Sequence, residues 1–202
     1  MTLDQFRPLA DRALEPFVVL AKRLGLSPDA VSVVAFSLAG GAGGAFYVAG
    51  DQPMLYAVGA VLVFANGWLD LVDGALAREL AVASAGGDFL DHVLDRYADI
   101  LMLVGLAAGV GRYDLGLAAV TGVLMTSYLG TQAQAVDLDR VYGGLLGRAD
   151  RLALIGLVAA VAAVVSQSVQ GLTVIGWLLV VFAIVGHLTA LQRFYYSMQA
   201  LE

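Results

Sequence analysis

The stretch LDLVDGALARELAVASAGGDFLDHVLD, residues 69–95, places two pairs of aspartates between long hydrophobic runs. Asp70 and Asp73 are three residues apart, and Asp91 and Asp95 are four apart. Residues at these spacings share one face of a helix, so two helix ends can direct four carboxylates at one point. Clustered carboxylates repel one another, and a charged side chain near a bilayer core costs about 2.5 to 3.5 kcal/mol. A bound divalent cation removes both difficulties, and such oxygen ligands suit Mg²⁺, Mn²⁺ or Ca²⁺.

The chain as a whole is too hydrophobic for a soluble domain. Of its 202 residues, 60% are hydrophobic and 14% are charged, and the mean hydropathy is +0.83. Six apolar runs recur at lengths that suit membrane spans. They cover residues 31–49, 53–71, 89–110, 115–135, 152–165 and 172–191. We therefore expect an all-α integral membrane protein in which 1–202 is one domain and 26–195 forms a core of six transmembrane helices.

The N-terminal residues differ from this core. Residues 1–25 mix polar and apolar types, which argues against a signal peptide and favours an interfacial amphipathic helix. Ser27 and Pro28 then form a helix-start signal, with Ser27 as a possible cap. The glycines at 40–44 follow no strand, so they favour close helix packing over a phosphate loop.

Composition excludes several classes of protein. The chain has no cysteine, which removes disulfides, thiol catalysis and Cys-ligated metal sites. Its histidines, His92 and His187, are too few for a His-based metal site. A net charge of −6 argues against nucleic acid as a partner. The excess of aspartate and the single lysine, Lys22, fit either a solvated acidic surface or a salt-adapted origin.

Positive charges indicate the topology. If both termini are cytoplasmic, ten of the eleven Lys and Arg residues lie on that side and Arg112 lies opposite. The cytoplasmic set is Arg7, Arg12, Lys22, Arg23, Arg78, Arg96, Arg140, Arg148, Arg151 and Arg193. We therefore expect a multi-pass protein of the plasma membrane with the aspartates at its cytoplasmic boundary.

Eight residues between Asp70 and Asp95 form the pattern Asp-x2-Asp-Gly-x2-Ala-Arg-x8-Gly-x3-Asp-x3-Asp. This string resembles the signature of the CDP-alcohol phosphatidyltransferases at every fixed position. Leu-Ser-Pro-Asp at 26–29 is similar to the Leu-Thr-Pro-Asn often found before the first span of that family. The resemblance implies a transferase of phospholipid biosynthesis that moves a phosphatidyl or archaetidyl group from a CDP-linked lipid to a small polar alcohol and releases CMP. It also implies Mg²⁺ or Mn²⁺ and a homodimer.

The chemistry of such a transfer suggests roles for the aspartates. It requires neutralisation of a pyrophosphate, in-line approach of a hydroxyl and removal of the hydroxyl proton. All four aspartates are candidate metal ligands. Asp70, Asp73 and Asp91 would clamp the pyrophosphate through the cation, and Asp95 would accept the proton as the candidate catalytic base. The resemblance implies the same division.

The other signature residues are candidates for the nucleotide site. Gly74, Ala77 and Gly87 are small enough to let a nucleotide approach the backbone, and in the family these positions line the cytidine side. Arg78 could contact phosphate or pair with a nearby acid. The candidate CDP-binding residues are thus Asp70, Asp73, Gly74, Ala77, Arg78 and Gly87. Outside the signature, we expect Asp88 to cap a helix, and Asp99 to pair with Arg96 or add a polar group to the cavity.

A second basic group, Arg140, Arg148 and Arg151, lies between the fourth and fifth runs. It could bind a phosphorylated acceptor such as inositol phosphate or glycerol phosphate, or anchor the chain to anionic lipid. Arg148 and Arg151 resemble the basic pair of relatives that use inositol phosphate.

The acceptor site also departs from those relatives. They tend to carry a stretch like Lys-Ala-Arg-Ala-Glu where this chain has Thr-Gln-Ala-Gln-Ala at 131–135. Gln132 and Gln134 can hydrogen-bond polyol hydroxyls, and an unphosphorylated acceptor such as serine stays open. The donor could be CDP-diacylglycerol or, for an archaeal origin, CDP-archaeol.

Two other functions compete with this interpretation. The spacing of Asn66, Asp70 and Asp73 partly resembles the Asp-rich motif of membrane prenyltransferases, which generally have longer chains. Intramembrane acids also mark the ion paths of divalent-cation transporters. A transporter would leave the Gly-Ala-Arg-Gly spacing unexplained.

Overall fold

The computed structural model of the chain describes residues 7–82, 84–139 and 144–202, and these ranges form helices and contain no β-sheet. Seven α-helices occur in them: α1 (Arg7–Arg23), α2 (Pro28–Ala49), α3 (Leu55–Leu80), α4 (Ala85–Gly109), α5 (Tyr113–Gln132), α6 (Arg148–Ala162) and α7 (Val174–Leu201). The predicted all-α class is confirmed. Helices α2, α3 and α7 are long and apolar enough to cross a membrane. Six predicted runs match α2 to α7 in order, and their number as membrane spans stays a prediction.

The start of α2 follows its sequence signal. The Ser27 side chain accepts a hydrogen bond from the Ala30 backbone N–H at 3.2 Å, and Pro28 occupies the first helical position. Proline fits there because its missing N–H would have had no helical partner. The predicted cap at Ser27 is confirmed.

The two helices that carry the aspartates differ from expectation. Helix α3 runs to Leu80, well past the predicted end at 71, because residues 74–80 lose hydrophobicity but keep helix-forming Ala, Leu, Arg and Glu. Helix α4 begins at Ala85, and the Ser84 side chain caps it by accepting a bond from the Gly87 N–H at 3.1 Å. The prediction that Asp88 is the cap was wrong. Asp88 lies in the first turn, where a negative charge favours the helix dipole.

Close helix packing holds these two elements on α2. Helix α2 packs against both α3 and α4, and α5 packs along α7. At Gly43 and Gly105 the backbones of α2 and α4 approach so closely that a Cβ on either glycine would overlap the other helix. Small residues permit this approach, as predicted for the glycine cluster.

Helix α1 packs against the second half of helix α3. Leu14, Val18 and Ala21 pack with Val72 and Leu76 in a separate small core. The ring of Phe17 meets Trp68 edge-on at 5.4 Å, and Lys22 pairs with Glu79 at 2.6 Å. The other side of α1 exposes apolar residues, including Val19 and Leu20. This two-sided helix fits the predicted interfacial role, which stays a prediction.

Candidate active site

Three of the four signature aspartates converge in space. Asp70 in the second half of α3 and Asp91 and Asp95 in the first half of α4 each offer a carboxylate oxygen, all within 4.8 Å of one another. Helices α3 and α4 reach this point because both pack on α2. Among the described residues this is the group that could hold a metal ion.

The fourth aspartate, Asp73, points to the side of this cluster. Its carboxylate accepts a hydrogen bond from the Ser32 hydroxyl of α2 at 2.7 Å, and its side chain is buried. Asp73 and Asp91 line the same cavity, so Asp73 adjoins the cluster without belonging to its closest group.

The cluster fits a hard divalent cation by its donor set. Carboxylate oxygens at this mutual distance suit Mg²⁺ or Mn²⁺. Asn66, which is 1% exposed, lines the same small cavity as the three carboxylates. Its amide nitrogen donates to the Ala35 carbonyl at 2.9 Å, while its Oδ1 has no hydrogen-bond partner among the described residues. A buried oxygen that accepts no hydrogen bond from the protein is available to bind a cation or the hydroxyl of a ligand.

Basic side chains from α6 close the site from the other side. Arg148 contacts Asp70 through one guanidinium nitrogen, and its Nη2 lies 2.5 Å from Asp95 Oδ1. One turn along α6, Arg151 Nη2 lies 2.7 Å from Asp99 Oδ2. The same Asp99 oxygen is 3.8 Å from Arg96 Nη1, which confirms the predicted i,i+3 pair.

A cavity of about 440 Å³ opens beside Asp73 and Asp91. Gly74, Ala77 and Gly87 all line it, together with residues from the start of α2. A Cβ at Gly87 would lie 3.2 Å from Asp29 Oδ1, so a larger residue would narrow the space. The structure thus gathers the three small signature residues at one opening, and its occupant stays a prediction.

Comparison with known proteins agrees with the signature. The sequence profile of the CDP-alcohol phosphatidyltransferases matches residues 25–185. The chain belongs to this family.

Two curated relatives of this phosphatidyltransferase are named as synthases of inositol phosphate lipids. An archaetidylinositol phosphate synthase of Methanothermobacter thermautotrophicus is 32% identical over 206 residues, covering 99% of this chain and 96% of that protein. A phosphatidylinositol phosphate synthase of Streptomyces avermitilis is 36% identical over 163 residues, covering 76% of this chain and 64% of that protein.

A solved relative has the same fold. The phosphatidylinositol phosphate synthase of Mycobacterium tuberculosis with CDP-DAG bound superposes with a TM-score of 0.79 at 23% identity, covering 92% of this chain and 94% of that one. The same enzyme in complex with manganese and citrate also gives a TM-score of 0.79.

The predicted acceptor residues of this phosphatidyltransferase are only partly brought together. Gln134 lines a groove of about 840 Å³ between α4 and α5, which neither Arg148 nor Arg151 lines. Gln132 is exposed at the end of α5, and Arg140 lies outside the described residues. The two arginines lie at the aspartates, whereas a role for the two glutamines stays a prediction.

Arg78 is exposed, and among the described side chains it has no ion-pair partner. The proposed pairing with a nearby acid is therefore not seen, and contact with phosphate stays a prediction.

Sequence reasoning missed the place of Ser32 and Asn66 at this site, and for Asp99 it foresaw the pair with Arg96 but not the partner on α6. Ser32 holds Asp73, Asn66 lines the aspartate cavity, and Asp99 pairs with Arg151. Asp99 carried a signal, because it continues the four-residue repeat of Asp91 and Asp95 along α4. Ser32 and Asn66 are polar residues within apolar runs, where a buried side chain needs a partner.

Proposed function

We propose that the chain transfers an archaetidyl or phosphatidyl group from a CDP-linked lipid to the hydroxyl of inositol phosphate and releases CMP. The observation that carries the choice of acceptor is the contact of Arg148 with Asp70 and Asp95. A guanidinium at the aspartates is suited to hold a phosphate on the attacking alcohol. The names of the curated relatives support the same acceptor. Serine carries no phosphate for these arginines, and it is not favoured.

The donor would occupy the cavity beside Asp73. Gly74, Ala77 and Gly87 give the cytidine room against the backbone, and the exposed Arg78 would contact phosphate at its edge. This arrangement leaves the scissile pyrophosphate next to Asp70 and Asp91.

The four aspartates divide the chemistry. Asp70, Asp73 and Asp91, with Asp95 beside them, would hold Mg²⁺ or Mn²⁺, which when bound neutralises the pyrophosphate charge. Asp95 contacts Arg148 and would therefore lie near the acceptor phosphate. Its carboxylate would accept the proton from the attacking hydroxyl.

The membrane arrangement follows from the same proposal. We propose that α2 to α7 are six spans, with α1 at the interface and the aspartates on the cytoplasmic side of the plasma membrane. Because the chain lacks cysteine, single cysteines can test this. Asp51→Cys and Ser168→Cys should react with an impermeant maleimide from outside, and Asp137→Cys should not; the reverse pattern would overturn the orientation. Cross-linking of purified protein would test the homodimer.

The acceptor and donor can be assayed together. Purified protein in nanodiscs, with Mg²⁺ or Mn²⁺, is offered CDP-archaeol or CDP-diacylglycerol and one of inositol phosphate, glycerol phosphate or serine. We expect CMP release with inositol phosphate. Release with glycerol phosphate or serine but not with inositol phosphate would overturn the proposed acceptor.

A further inference from the structure

A buried ion pair lies beside the signature aspartates and outside the signature itself. Arg151 and Asp99 are 4% and 2% exposed, and their Nη2 and Oδ2 atoms are 2.7 Å apart. Asp99 follows Asp95 by one helical turn on α4, and Arg151 follows Arg148 by one turn on α6. The pair therefore lies one helical turn further along α4 and α6 than the contact between Arg148 and Asp95.

Stability alone does not explain this pair. Burying two charges costs desolvation energy that their attraction often fails to recover, and apolar residues of similar volume frequently replace such pairs without loss. The buried Arg151 also keeps donor capacity, because its Nε–H has no hydrogen-bond partner among the described residues. A guanidinium has five N–H groups in a fixed plane, so a carboxylate on one edge orients the others.

Asp99 also pairs with Arg96, which lies on the same helix. Arg96 Nη1 is 3.8 Å from the same Asp99 oxygen, and Arg96 contacts the Ser127 hydroxyl of α5. One carboxylate therefore lies between two guanidinium groups that come from different helices and border the site.

We propose that Asp99 is a positioning residue for acceptor specificity. Its carboxylate fixes the plane of Arg151, so that the remaining N–H groups of Arg151, with those of Arg148, face the phosphate of the acceptor alcohol. This inference rests on the proposed function, because it assumes a phosphorylated acceptor. Asp99 touches no reacting atom and acts through Arg151.

The test compares Asp99→Asn with wild type in the CMP-release assay. Asparagine keeps the volume and loses the charge, so Arg151 is no longer held in one orientation. We expect the KM for inositol phosphate to rise about tenfold, the loss of roughly one charge-assisted hydrogen bond. The KM for the CDP-lipid and the kcat at saturating inositol phosphate should change less than about twofold, since neither depends on Arg151 in this scheme. A rise in both KM values, or a fall in kcat alone, would overturn the proposal.

A double-mutant cycle with Arg151→Gln gives the sharper result. If Asp99 acts through Arg151, the double variant should have the same acceptor KM as Arg151→Gln alone. Effects that multiply would show that Asp99 acts independently and would overturn the proposal. Asp114→Asn is the matched control, because it breaks an exposed Asp–Arg pair with Arg112 at the opposite end of α4. It should leave all three constants unchanged.

Asp99→Glu keeps the charge and should raise the acceptor KM less than Asp99→Asn. If Asp99→Asn does not fold, Asp99→Glu replaces it, since its carboxylate is displaced by one methylene. An unchanged acceptor KM in Asp99→Asn, or in Asp99→Glu where it replaces that variant, would overturn the proposal. The wild-type assay tests the proposed function separately. Activity with another phosphorylated alcohol but not with inositol phosphate would overturn the proposed acceptor, and the role of Asp99 would then be tested with that alcohol. Activity with serine alone would overturn both.

Discussion

Arg148 Nη2 lies 2.5 Å from Asp95 Oδ1, and the same guanidinium also contacts Asp70. The side chain thus places one positive charge between two of the three carboxylates that could hold a cation. A metal ion and Arg148 would compete for these oxygens, because each neutralises the same charge. Under the proposed function, an Arg148 side chain that leaves these oxygens would be available to contact the acceptor phosphate.

Arg148→Gln should separate these two roles. Without its guanidinium, Asp70 and Asp95 repel each other more strongly, so we expect Mn²⁺ to bind several-fold more tightly. The acceptor KM should rise by about tenfold because the variant lacks a phosphate contact. Electron paramagnetic resonance titration of free Mn²⁺ measures the first effect, and CMP release the second.

Arg112→Gln provides the control for Arg148→Gln, since Arg112 pairs with Asp114 away from the site at 2.7 Å. It should change neither quantity. Unchanged Mn²⁺ affinity in Arg148→Gln would contradict competition between Arg148 and the metal ion. An unchanged acceptor KM would favour the alternative that Arg148 anchors the chain at anionic lipid.

Asp95→Asn should abolish transfer and leave binding of the CDP-lipid largely intact, and because its amide oxygen can still face the cation it should weaken Mn²⁺ binding less than Asp91→Asn does. The amide keeps the size of the side chain but cannot accept the hydroxyl proton, so kcat should fall by at least about 100-fold. Asp91→Asn, in contrast, should lose metal affinity as well as activity. Parallel Mn²⁺ titrations and single-turnover CMP release measure both variants. Substantial turnover in Asp95→Asn would exclude its role as the base.

Ser32→Ala tests the support of the fourth aspartate. Ser32 donates to Asp73 at 2.7 Å on the wall of the cavity that we propose for the donor, and hydrogen bonds to charged groups contribute about 1.5 to 3 kcal/mol. We expect the KM for CDP-lipid to rise about fivefold with little change in the acceptor KM. Ser37→Ala is the matched control on the same helix, because Ser37 is exposed and, among the described residues, donates to the Val33 carbonyl and not to Asp73. Equal effects of both substitutions would mean that helix α2, and not Asp73, responds.

Much of this site is predictable from residue spacing, and the exceptions have physical causes. The convergence of Asp70, Asp91 and Asp95 follows from helical periodicity and from the requirement that buried acids share a cation. The helix boundaries do not follow from hydrophobicity, which is why α3 continues nine residues past the last predicted apolar position, 71.

Contacts between distant segments are the harder part. Arg151 and Asp99 are 52 residues apart, and only the packing of α6 and α4 around α3 and α2 brings them together. Gln134 is a candidate acceptor ligand by sequence because its amide can hydrogen-bond polyol hydroxyls, yet it lines the groove between α4 and α5. Sequence spacing orders residues along one helix, whereas the face on which the next helix packs depends on side chains throughout the core.

The glycines that join α2 to α4 provide a test of that packing. A Cβ on Gly43 would overlap the backbone at Leu101, so Gly43→Ala must push the two helices apart. We expect a loss of about 1 to 3 kcal/mol, seen as a lower melting temperature of the detergent-solubilised protein. Asp91 and Asp95 lie on the displaced helix, so Mn²⁺ affinity should fall with it.

The next residue is the control. A Cβ on Gly44 would meet no atom within 4 Å, so Gly44→Ala should keep or slightly raise the melting temperature, because alanine favours a helix over glycine. A normal melting temperature and normal Mn²⁺ affinity in Gly43→Ala would show that α2 and α4 can separate without moving the carboxylates. Loss of metal affinity in Gly43→Ala alone would establish that the distance between these two helices sets the geometry of the aspartate cluster.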